Sequence, residues 1–161
     1  MFKDPRAEYE TMLRQDFSTF AARCFYDLNP QTDLAMNWHL EVIAAKLTGV
    51  RNGKIKRLII NMPPRHLKSL MASIAFPAWC LGHDPSAQIM SVSYAQDLAD
   101  KLGRDSRSIM MSKWYRRIFP TRLCAPAPGG AGVHHHAPGI PTRHVKWGCA
   151  DRSGCRHHHH R

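Results

Sequence analysis

The residues in this chain best suited to chemistry are Met62-Pro63-Pro64-Arg65-His66-Leu67-Lys68-Ser69. A Lys followed by a hydroxyl residue, after an apolar run and at a helix start, suits a loop that holds phosphate. Such a loop aims backbone N–H groups and a helix N-terminus at the β- and γ-phosphates of a nucleotide. The Lys reaches those phosphates and the hydroxyl takes a place on Mg²⁺. Lys68 and Ser69 have the identity and order this chemistry needs, and the N–H groups of residues 66–69 would complete the cradle. The usual pattern, G-x-x-x-x-G-K-[ST], has Gly where this chain has Met62 and Leu67. The competing reading is therefore an exposed Lys-Ser pair at a helix start.

The elements that must position this loop are legible from hydrophobic spacing. Leu13, Phe17, Phe20, Ala21, Cys24, Phe25 and Leu28 recur at three- and four-residue steps, which predicts an amphipathic helix over 6–28, closed by Asn29-Pro30. A second helix is expected over 34–47, with Leu40, Ile43, Ala44 and Leu47 on one face and Gly49 beyond its end. Arg51-Asn52-Gly53-Lys54 reads as a polar turn. Residues 58–62 (Leu-Ile-Ile-Asn-Met) have the length and composition of a buried strand that Pro63-Pro64 must end. A helix over 68–80, kinked or shortened by Pro77, a strand over 88–94 and a helix over 95–111 follow. A βαβ unit lies at the centre of this order, which predicts an α/β fold with a parallel sheet flanked by helices.

Other residues are weaker candidates. Trp38 and His39 could sit beside a nucleotide base or simply pack. Ser93 and Tyr94 end the second expected strand, at the sheet edge where α/β folds place ligands, or merely cap it. Arg104, Arg107, Lys113, Arg116 and Arg117, with Trp114 and Tyr115 among them, could meet DNA phosphates or form a solvated helix face.

Asn37-Trp38-His39, Arg57 through Ser69, Phe76-Pro77-Ala78-Trp79 and Ser91-Val92-Ser93-Tyr94 together resemble the large terminase subunit of tailed bacteriophages. The resemblance covers roughly residues 10–120. That family packages viral DNA with an N-terminal ATPase joined to a C-terminal nuclease, and its variant of the Walker A loop often lacks the second Gly. The resemblance implies a partial P-loop NTPase domain using ATP and Mg²⁺. Pro63, Pro64, Arg65, His66, Leu67, Lys68 and Ser69 would bind the nucleotide, Arg65 would contact the γ-phosphate, and Ser69 would serve the metal. It also implies double-stranded DNA, a small terminase subunit and a portal protein as partners, in the cytoplasm of a bacterial host.

Composition divides the chain near Pro120. The 161 residues carry 23 Lys+Arg against 12 Asp+Glu, a net charge of +11, and 43% hydrophobic residues. That content supports a core, no apolar run approaches a membrane span, and the first residues lack the apolar stretch of a signal peptide. Five Cys, an odd number outside any tight framework, suit a reducing compartment. Residues 1–120 hold every Phe, Tyr and Met, whereas residues 121–161 hold eight of the eleven His and a single acid, Asp151. This second part is expected to be a low-order basic tail.

In the terminase family, four apolar residues followed by Asp-Asp or Asp-Glu supply the Mg²⁺-holding carboxylates that hydrolysis needs. Residues 121–161 contain no such string. Read one base out of frame, however, the His codons of residues 157–160 permit Ile, and Arg161 permits Asp. A following TGA stop permits Asp or Glu. The permitted string restores the missing motif, so the tail is expected to be out-of-frame translation after about residue 123, and the chain to be catalytically incompetent. Two alternatives belong to other classes: a small basic nucleic-acid-binding protein, and a metal-binding protein using Cys149, Cys155 and the His runs.

Overall fold

The computed structural model describes residues 4–123, 133–136 and 143–149. Helix α1 (Pro5–Gln15) and α2 (Phe17–Leu28) occupy the span expected as one helix. The break is at Asp16, which is extended (φ −107°, ψ 116°) and whose carboxylate accepts from the Thr19 N–H at 2.7 Å and the Thr19 hydroxyl at 2.6 Å. An Asp that caps the next helix ends the previous one, because an N-cap residue cannot keep helical angles. The apolar spacing runs through the break unchanged, so periodicity alone did not reveal it.

Helix α3 spans Trp38–Arg51, four residues later at each end than the spacing suggested. Gly49 does not stop it. The stop is a Schellman motif: Gly53 (φ 72°) donates to the Val50 carbonyl at 3.0 Å and Lys54 to the Gly49 carbonyl at 2.9 Å.

The centre of the molecule is a continuous helical run from Lys68 to His83. Its first part, Leu70–Ala75, is π-helical, and α4 (Phe76–His83) completes it with Pro77 in its first turn. Proline has no N–H and its ring collides with the carbonyl four residues back. The wider π-turn, in which Phe76 N–H reaches the Met71 carbonyl, accommodates Pro77 without breaking the run. Leu70, Met71, Ile74, Ala75, Ala78, Trp79 and Leu81 are all buried. Around them pack Phe17 (ring centroid 5.2 Å from Trp79), Phe20, Leu13 and the inner faces of α5 (Gln96–Met111) and α6 (Lys113–Ile118). Tyr115 donates its hydroxyl to the Ala78 carbonyl at 2.8 Å, and Thr121 donates to the Leu81 carbonyl at 2.8 Å. These two bonds tie α6 and the buried Thr121 to α4.

The expected parallel-sheet P-loop architecture is overturned. Residues 4–121 are mostly helical, contain one short strand, β1 (Met90–Ser93), and build no sheet among themselves. Residues 58–62 are not a strand. They keep a strand's alternation, with Leu58, Ile60 and Met62 packed on the core and Ile59 93% exposed, but they join no ladder. A strand exists only where a neighbour supplies hydrogen bonds, and side-chain pattern cannot guarantee that neighbour. β2 (Arg122–Leu123), β3 (Val133–His136) and β4 (Arg143–Cys149) are strands in the order β1-β4-β3-β2. β1 and β4 are parallel, with Met90 opposite Lys146, and the other pairs are antiparallel. Among the described residues no helix is long and apolar enough to cross a membrane.

Two predictions follow from the packing at the end of α4. A Cβ added at Gly82 would lie 2.5 Å from Cδ2 of the buried Phe119 ring. Gly82→Ala should therefore lower unfolding free energy by about 2 kcal/mol in urea titrations. His83 donates from Nε2 to the Arg14 carbonyl at 2.8 Å, with its ring against Trp79 and Phe119, each 5.0 Å away. Burial, then the nearby Arg51 charge, pulls its pKa below the usual 6.5. A depressed pKa means the unfolded chain takes up the proton first. The stabilisation is complete above pH 6.5 and fades as pH falls below it. The drop in Tm between about pH 7.5 and about pH 5 should be smaller in His83→Gln than in the parent.

Candidate phosphate-binding loop

The loop sits where the central helical run begins, and its backbone is unusual. Arg65 (φ 66°) and Leu67 (φ 55°) are the non-glycine residues with positive φ among the described residues. Leu67 holds the position of the second Gly in the phosphate-loop pattern. The chain therefore keeps the left-handed conformation without the residue that adopts it freely, at a cost of about 1–2 kcal/mol per residue. Leu67 is half-buried and packs on the core, which holds it there. Left-handed residues are a component of the backbone turns that aim successive N–H groups at an anion.

The side chains are arranged around this turn. Lys68 is half-buried and reaches back across the loop to donate to the Met62 carbonyl at 3.3 Å. Ser69 is exposed in the first turn of the run, and its hydroxyl caps no backbone N–H. His66 Nδ1 lies 2.9 Å from the Pro64 carbonyl. A carbonyl can only accept, so Nδ1 carries the proton. Pro63, Pro64, Arg65 and His66 are all exposed. The first N–H groups of the run have no carbonyl one turn back to bond.

Beside the loop lies a cleft of about 360 Å³, lined by Trp38, His39, Val42 and Ile43 from α3 and by Met62 and His66 from the loop. The His39 and His66 rings are 5.6 Å apart and edge-on, and Trp38 meets His39 at 6.1 Å. Trp38 is 76% exposed, so the packing role weighed for it is not what the structure places there. Val42 and Ile43 were missed as cleft residues. Their signal was the spacing of 38, 39, 42 and 43, which forms one stripe on a helix.

The remaining candidates are not brought to this site. Ser93 is half-buried and Tyr94 is 88% exposed at the end of β1, and neither lines the cleft. Arg104 and Arg107 border a different cleft of about 450 Å³ with Asp27, Ser108, Met111 and Ser112. Trp114 and Tyr115 are buried, which corrects their suggested place in a DNA-facing surface, and Arg117 pairs with Glu10 at 3.0 Å. Cys24 and Cys80 are free thiols, and burial pushes Cys80 up to about 11. Among the described residues no three His, Cys, Asp or Glu converge as a metal site. Cys155, Asp151 and the His run at 157–160 lie outside the described residues.

Comparison with family models, curated proteins and solved structures finds no match to this chain. The loop's conformation therefore bears the weight of the functional reading. Arg65 is exposed and left-handed, so Arg65→Gly should raise unfolding free energy by about 1 kcal/mol in urea titrations.

Proposed function

We propose that residues 62–69 bind the phosphate chain of ATP, and that this chain derives from the ATPase portion of a terminase large subunit. The motor of that family drives double-stranded DNA into a procapsid. The observation that carries the reading is the left-handed backbone at Leu67, directly before Lys68 and Ser69. A bulky residue does not adopt that conformation without surrounding constraint. Here it turns the loop so that Lys68 lies across its mouth and Ser69 opens the helical run.

In this reading Lys68 exchanges the Met62 carbonyl for β- and γ-phosphate oxygens, gaining charge-assisted hydrogen bonds. Arg65, exposed in the same loop, meets the γ-phosphate. Ser69 offers its hydroxyl to Mg²⁺, which would bridge phosphate oxygens and offset their charge. The adjoining cleft has one exposed indole, two imidazoles and aliphatic walls, and its volume lies within the range usual for small-molecule sites. A flat purine ring fits that lining by stacking and edge contacts. Residues 1–161 offer no apolar strand ending in paired acids, so they would bind nucleotide without turning it over. The small terminase subunit and portal protein remain the partners that the resemblance implies.

A fluorescent ATP analogue titrated with Mg²⁺ into the parent and Lys68→Ala tests this. Binding should weaken at least about tenfold in the variant, the loss of a charge-assisted contact of about 1.5–3 kcal/mol. Equal affinities would overturn the loop assignment. Trp38→Ala should weaken the adenosine nucleotide while leaving inorganic triphosphate unaffected, because only the former carries a base.

A further inference from the structure

The turn after α3 forms a second cationic surface, separate from the loop. From residue 42 to residue 83 the chain carries seven Lys or Arg and no Asp or Glu. Arg51, Lys54, Lys56 and Arg57 cluster within seven residues of this stretch, and all four are exposed. The ion pairs among the described residues, Arg6 and Arg117 with Glu10 and Arg23 with Asp27, involve none of them.

The backbone at the start of this turn is fixed to α3. The Schellman motif fixes Gly53 and Lys54 to the end of α3, and Ile55 donates its N–H to the Gly49 carbonyl at 3.1 Å. The Ile55 side chain fills the space over Gly49, with its Cδ1 3.0 Å from where a Cβ would stand. The Arg51 guanidinium rests 4.5 Å above the Trp79 ring, which gives a long side chain a fixed base. A cation held in place, as Arg51 is, loses little entropy on meeting an anion. The fourteen residues of α3 separate this turn from the loop, about 20 Å at 1.5 Å per residue.

We propose that Lys54, Lys56 and Arg57, flanked by Arg51, bind the phosphate backbone of duplex DNA. A duplex presents one negative charge per about 1.7 Å of axis, so several phosphates face a cluster of this span at once. Of the large apolar residues nearby, Leu58 and Ile60 pack on the core and Ile55 covers Gly49, which leaves Ile59 exposed. A polyanion therefore suits the surface better than a lipid interface, which also needs buried apolar area. The proposal extends the packaging reading by naming where DNA would lie, and it does not depend on the loop.

Fluorescence anisotropy of a labelled mixed-sequence duplex, repeated across a salt series, tests it. K54A/K56A/R57A should reduce the salt slope of log affinity by nearly three, at about 0.9 per phosphate contact, and weaken binding at least about tenfold near 0.1 M salt. R104A/K113A/R116A removes the same charge elsewhere and should change the slope by less than about one. An unchanged slope in the first variant, or equal losses in both, would overturn the proposal. K54R/K56R keeps the charge and should keep the slope; its loss would also count against the proposal. Circular dichroism confirms that each variant is folded. Anionic phosphatidylserine vesicles run in parallel, and loss of vesicle binding alone would assign the surface to lipid and sink the proposal. ATP-analogue affinity should be unchanged in K54A/K56A/R57A, so a failure of this surface and a failure of the loop reading give different results.

Discussion

Burial of the helical run from Lys68 to His83 is the constraint on which the rest of the molecule depends. Its residues at 70, 71, 74, 75, 78, 79 and 81 leave almost no solvent-facing side, so α2, α3, α5 and α6 must surround it. A helix buried on nearly every side has polar backbone groups to offer only at its ends. One end is closed by His83, Thr121 and Phe119. The other opens at the surface, where the loop carries Lys68 and Ser69. The loop's exposure is thus a consequence of where the core stops.

The same burial accounts for the strain in the loop. The chain arrives along residues 58–62, with Leu58, Ile60 and Met62 on the core, and must turn sharply into the run. Leu67 is both the last turning residue and a packing residue, so its side chain holds its backbone in the left-handed region. Glycine would turn more easily but would contribute no packing. Strain borne by packing elsewhere is a familiar feature of ligand-binding turns.

Charge is distributed with comparable economy. Carboxylates pair with Arg6, Arg23 and Arg117 on α1, α2 and α6, where they tie helices to themselves or to each other. The stretch between residues 42 and 83 has none. Both surfaces proposed to meet phosphate, the loop and the turn after α3, belong to that stretch, at opposite ends of one helix.

The sequence by itself determined the inner faces of the helices, because apolar residues three and four apart can be buried only on a helix. Leu13 through Phe25 and Leu40 through Leu47 were legible in this way. Helix ends were less so: Asp16 and Gly53 act through single hydrogen-bonded caps that do not disturb the periodicity. Only the tertiary structure decided that residues 58–62 join no ladder, that β1 pairs with β4, and that Trp38 stands exposed beside His66 while Trp114 is buried. Strand pairing and side-chain exposure depend on which distant segment arrives to supply a partner, and local residue pattern carries no record of that arrival.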